Sequence, residues 1–158
     1  MPKNDEPLKL NIELVPSSSW YDNLRNLISP KNWEGIRKNT YENFDHNCGI
    51  CGSEGRLNCH EIWEYDDTVH IQRLEGFIAL CNMCHFIKHL GYAGILADEG
   101  KLDYDSLIEH FIKVNNCDKK TFNKHRDIAF KQWRKRSKYE WKIDLGVYRD
   151  IVKKKTKS

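Results

Sequence analysis

At 158 residues, with 39% hydrophobic and 31% charged residues, the chain has the size and make-up of one globular domain with a single modest core. No run of about 18 apolar residues is present, so no transmembrane helix is expected. Residues 1–13 lack a basic start followed by an apolar block, so no secretory signal is expected, and the Cys-x-x-Cys spacing among the six cysteines points to bound metal in a reducing cytosol rather than to disulfides.

The net charge of +3 hides a strong asymmetry. Residues 119–158 carry 15 Lys or Arg against four Asp or Glu, a local charge of +11, while the preceding 118 residues carry 11 and 19, a charge of −8. A C-terminal end of this kind suits contact with a polyanion such as nucleic acid; the bland alternative is a solvated lysine-rich helix.

In chain order, Leu8 to Leu14 reads as a short strand. Three serines at 17–19 can cap a short helix with Trp20, Leu24, Leu27 and Ile28 as its apolar positions. Ser29-Pro30 starts a second helix, with Trp33, Ile36, Arg37, Thr40, Tyr41 and Phe44 at helical spacing. Leu57 to Glu64 and Val69 to Leu80 read as two strands joined by a turn at Asp66-Asp67, the second with a bend at Gly76 and a surface histidine, His70, at its start. Met83 to Leu90 reads as a helix stopped by Gly91. Asp103 or Asp105 can cap a helix whose stripe is Leu107, Ile108, Phe111 and Val114. Asp118 can cap a last helix reaching about Trp141, with Phe122, Ala129, Phe130 and Trp133 inward and Lys124, Lys131, Arg134, Lys135 and Lys138 exposed. The expected organisation is α+β and a single domain over 1–150, with an N-terminal helical brace at 17–45, a metal core at 46–91 and C-terminal helices at 103–142. Residues 151–158 are expected to form a basic disordered tail.

Two Cys-x-x-Cys pairs, Cys48/Cys51 and Cys81/Cys84, frame the centre with 29 residues between them. Such turns can place four thiolates about 2.3 Å from one tetrahedral zinc, a closed site that leaves no room for substrate and is therefore structural. Cys59 and Cys117 lie outside the pattern and read as small buried hydrophobes. His85 and His89 share one helix face, and the first strand can fold His60 over them. Three neutral imidazoles can hold a second divalent ion with open positions. Two helical histidines alone are ordinary surface residues; here they share a segment with the cysteine framework.

The run Cys48-x-x-Cys51, His60-Glu61-Ile62 and Leu80-Cys-x-x-Cys-His85 with His89 resembles the zinc-framed branch of the HNH endonucleases, the ββα-metal or His-Me finger nucleases. Flanking pieces at Val15-Pro16 to Trp20, Trp33-x-x-Ile36-Arg37-Lys38, Cys59 to Asp66, and Ala129-Phe-x-x-Trp133-x-x-Arg136-Ser137 with Trp141 resemble a bacterial and phage group of HNH proteins. The resemblance covers about residues 8–148. It implies a small ββα-metal core, Cys48, Cys51, Cys81 and Cys84 as structural zinc ligands, and His60, His85 and His89 as ligands of a catalytic-type Mg, Mn, Ni or Zn ion. Glu61 stands where the family has its water-activating histidine, and Gly76 where it has an asparagine. The resemblance implies a metal-dependent endonuclease of DNA in a bacterial or phage-infected cytoplasm, with Glu61, His60 and His85 catalytic and the last helix gripping phosphates. The alternatives are a non-catalytic zinc-containing nucleic-acid-binding module and a phage or mobile-element effector that binds a host protein.

Overall fold

Alternating, β-branched and aromatic residues from 57 to 81 form the two longest strands of the molecule, β1 (Leu57–Asp66) and β2 (Ile71–Cys81). A computed structural model describes residues 7–152. The two strands pair antiparallel with His60 opposite Ile78 and Glu61 opposite Phe77. At the turn, the Asp66 carboxylate accepts from Thr68 N at 3.0 Å and Val69 N at 3.3 Å, and His70 takes a left-handed φ of 57°. Ile62 pairs with Gly76 and Trp63 with Leu74, so Glu75 is the extra residue of a bulge.

Helices flank this ribbon. Before it lie a 3-10 turn at Ser17–Ser19, α1 (Leu24–Leu27) and α2 (Pro30–Asn43); after it come α3 (Asn82–Lys88), α4 (Leu90–Asp98), α5 (Tyr104–Asn115) and α6 (Lys119–Arg136). A short β3 (Lys142–Asp144) then runs parallel to the start of β2, and a 3-10 turn follows at Gly146–Ile151. The result is an α+β fold with a three-stranded sheet in the order β1-β2-β3. No helix among the described residues is long and apolar enough to cross a membrane.

Two apolar clusters hold the elements. The larger joins Leu80, Ile87, Leu90, Leu107, Phe111 and Phe122, with Phe111 edge-on to Phe122 at 5.2 Å. The smaller sets Leu24, Ile28 and Leu74 against Trp33, Trp63, Phe77 and Tyr148.

Several elements depart from expectation. The strand expected at 8–14 does not form. Instead the Asn115 side chain replaces a neighbouring strand, accepting from Leu10 N and donating to Leu10 O, both at 2.8 Å, while Leu10 fills the larger cluster. The serines at 17–19 make their own 3-10 turn, and Asn23 caps α1, accepting from Asn26 N at 2.9 Å. Ser29 and Pro30 start α2 as expected, and Asp103 and Asp118 cap α5 and α6. Gly91 does not stop a helix: the break falls at His89 (φ −111°, ψ 50°), and the helix restarts because Leu90 and Ala93 are buried. Helix α6 ends at Arg136, not near Trp141. The Trp141 indole donates to Arg136 O at 2.9 Å, which turns the chain back so that Lys142 N reaches His70 O at 2.9 Å. His70 is half-buried rather than a surface residue, stacked on Tyr139 at 4.1 Å. Ile151 and Val152, assigned to the tail, pack against the smaller cluster; the lysines expected in that tail, Lys153 to Lys155 and Lys157, lie outside the described residues.

Candidate metal centre

Each cysteine of the four sits where the chain changes direction. Cys48 and Cys51 occupy a turn closed by Cys48 N to Ser53 O at 2.9 Å, and Gly49 N ties that turn to Ala79 O of β2 at 2.7 Å. Gly49 is required there, because a Cβ would lie 2.8 Å from both Ile78 and the Phe44 ring. Cys81 ends β2 and caps α3, its Sγ accepting from Cys84 N at 3.4 Å. All four Sγ atoms lie within 4.8 Å of one another, with Cys51 and Cys81 3.6 Å apart, so the group could hold a metal ion. Hydrogen bonds from Cys81 and Cys84 pull the Cys48 thiol towards its thiolate, and in return the other two are pushed up. Cys48, Cys81 and Cys84 at this spacing therefore share protons unevenly unless a cation replaces them. Cys59 and Cys117 stand apart and are half-buried, Cys59 donating to Thr40 Oγ1 at 3.6 Å.

One turn along α3, the histidines converge. His60 of β1, His85 of α3 and His89 at the α3–α4 break offer ring nitrogens within 4.8 Å of one another. Their ring centroids are 5.5 Å (His60–His85), 5.1 Å (His60–His89) and 4.8 Å (His85–His89) apart. Burial holds all three below the usual imidazole range, His89 at about 4, so the rings are neutral at pH 7 with free lone pairs. His89 Nδ1 is buried without a hydrogen-bond partner. A neutral, partly unsatisfied set of nitrogens fits a cation better than it fits a core. Lys88, between the two helical histidines, is drawn away: its ammonium bonds Asn11 Oδ1 and pairs with Glu13 at 3.6 Å, tying α3 to the N-terminal segment.

The histidines open onto a cavity of about 430 Å³, whose walls include Trp20, Arg25, Trp33, Cys59 and Glu61. Glu61 lies next to His60 in sequence, yet strand alternation sends its carboxylate towards α1, where Oε2 accepts from Leu24 N at 3.0 Å. Burial raises the Glu61 carboxyl to about 7, against the opposing pull of the backbone N–H groups of Leu24 and Arg25. The other carboxylates of the ribbon do not join the histidines. Asp66 closes its turn, and Asp67 takes a bidentate pair of bonds from Arg136, both at 2.9 Å, which also lowers its pKa.

Lys124, Lys131, Arg134 and Lys135 are exposed along α6 as expected, and Lys138 is exposed just beyond its end rather than on it, but none lines the histidine cavity. Helix α6 instead braces the N-terminal segment and the β1–β2 turn. Its Trp133 donates to Val15 O at 3.0 Å, and its Arg136 covers Tyr65 at 4.3 Å while holding Asp67. Two neighbours of the site carried no sequence signal. Trp20, expected in the core, is 40% exposed and edge-on to His89 at 5.8 Å. His110 of α5 places Nε2 3.2 Å from Cys84 Sγ. Compared with family models, with curated proteins and with solved structures, the chain found no match.

Proposed function

We propose that this protein is a metal-dependent endonuclease of the HNH type, hydrolysing phosphodiester bonds in DNA around a structural zinc. The observation that carries the reading is the meeting of His60 from a strand with His85 and His89 from the following helix, beside a four-cysteine group at the strand–helix junction. Zinc suits the cysteine group because four thiolates satisfy a tetrahedral d¹⁰ ion. Three neutral imidazoles and the unpartnered Nδ1 of His89 suit a second divalent ion, held by His60, His85 and His89. Bound there, such an ion supplies Lewis-acid polarisation of a phosphoryl oxygen and of the leaving oxygen.

The protein's own groups take the remaining roles. The cavity beside the histidines admits a phosphodiester, with Trp20 and Trp33 as its walls. Glu61 lies in the same wall and, titrating at about 7, can take a proton from water at neutral pH. Its Oε2 accepts from Leu24 N at 3.0 Å, which fixes the carboxylate in that wall. The same bond favours a second reading, a zinc module that binds DNA without cutting it, in which Glu61 only anchors α1.

Nicking of supercoiled plasmid with added Mg²⁺, Mn²⁺ or Ni²⁺ separates the two. Activity that disappears in His85→Ala is the expected result. Equal nicking by both proteins would remove the histidine group as catalyst, and salt-sensitive DNA binding with no turnover under any metal would select the second reading.

A further inference from the structure

A second cleft, of about 610 Å³, meets the histidine cavity along a common wall of Arg25, Trp33, Cys59 and His85. Three guanidinium groups from three different elements line it: Arg25 of α1, Arg37 of α2 and Arg56 of the loop before β1. Two are held over aromatic faces, Arg25 over Trp33 and Arg37 over Tyr41, each at 5.7 Å, and Tyr41 is itself anchored by its hydroxyl to Leu57 O at 2.9 Å. The one acidic wall residue, Glu34, is engaged by Lys38 at 3.3 Å and by Arg37 at 3.9 Å. Arg25 and Arg56 have no ion pair among the described residues.

Three guanidinium groups converging on one cleft, two of them without a carboxylate partner and two held over rings, form an anion site, and their fork geometry matches phosphate oxygens. The cleft ends at His85, so an anion in it is continuous with whatever occupies the histidine cavity. The exposed cations of α6 line neither cavity. We propose that Arg25, Arg37 and Arg56 bind the DNA backbone phosphates flanking the one at the histidines, so that this cleft, and not α6, sets the register of the strand. This assignment rests on the nuclease reading above.

The test is fluorescence anisotropy of a short labelled DNA duplex across a salt series, without added divalent ion, for the full chain. The variants are Arg25→Ala/Arg56→Ala, the single Arg56→Glu, and Lys124→Ala/Lys131→Ala on α6, each first checked for a wild-type thermal transition. The cleft double variant is expected to weaken binding at least about tenfold at low salt and to reduce the slope of log affinity against log salt by about 2, as two lost phosphate contacts require. Arg56→Glu should weaken binding further than loss of one contact. Wild-type affinity and slope in both cleft variants, with the loss confined to the α6 variant, would overturn the cleft assignment and leave the nuclease reading standing. No salt-sensitive binding by the wild type would overturn both.

Discussion

The cysteine group and the histidine group share β2 or its neighbour β1 and the same short helix α3, yet they differ in what surrounds their donors. The cysteines are four like donors drawn from a turn, a strand end and a helix start, and none of them lines the cavities beside the histidines. The histidines are three donors whose rings form part of a cavity wall. A complete set of ligands leaves a metal nothing to do except join chain segments, whereas an incomplete set facing a cavity leaves positions for water and substrate. The two donor clusters meet on the same short helix, yet only the histidines face a cavity that could hold water or substrate beside a bound ion.

The sharpest way to break that contrast is to remove one donor from each. Cys84→Ser should abolish the cooperative unfolding transition, because a structural metal contributes about 10–16 kcal/mol while a whole domain is stable by only about 5–15 kcal/mol. Circular dichroism against temperature reads it, and a variant that melts like the wild type would mean that the cysteines are only packing. His85→Ala should keep that transition while losing one equivalent of bound metal per chain. The loss of affinity should exceed the roughly 10–100-fold typical of outer-shell partners. Metal analysis of the purified proteins reads this directly, and unchanged content would make the histidines an ordinary buried cluster.

Glu61 offers a smaller and more selective probe. Its carboxyl has an ordinary value of 4.5 and is raised by burial to about 7, so folding takes up a proton between these values. The contribution to stability is therefore fully present below 4.5 and is lost as pH rises through about 7. Relative to Glu61→Gln, which keeps an acceptor for Leu24 N, the wild type should lose about 3 kcal/mol across that window. Urea unfolding of both proteins over the pH range measures the difference, and the cysteine and histidine titrations cancel in it. A flat difference would mean that the Glu61 carboxyl titrates in the folded protein as it does in the unfolded chain.

Residue spacing located the elements that depend on near neighbours. Ser29 and Asp118 bond the amide three residues on, and Cys81 bonds that of Cys84, so each cap is visible in a few letters. Both strands were legible for the same reason, as was the grouping of Cys48, Cys51, Cys81 and Cys84. The strand expected at 8–14 failed because its apolar residues fit a core position as well as a sheet position, and the backbone partner came from Asn115, 105 residues away from Leu10. Gly91 misled in a similar way: glycine permits a helix stop but does not demand one, and the burial of Leu90 and Ala93 outweighs it.

The same distinction runs through the site. Cys-x-x-Cys spacing, the i, i+4 pair His85/His89 and the resemblance to the HNH pattern were enough to single out the seven metal-capable side chains, since local strand and helix geometry leaves a mark in the letters. The surroundings that give those side chains their character came only from packing. The bond of Leu24 to Glu61 spans 37 residues, that of Arg136 to Asp67 spans 69, and the meeting of Arg25, Arg37 and Arg56 joins three separate elements. Contacts of that kind are selected by the fold as a whole, because burial, pKa and cavity shape belong to neighbours in space rather than to neighbours along the chain.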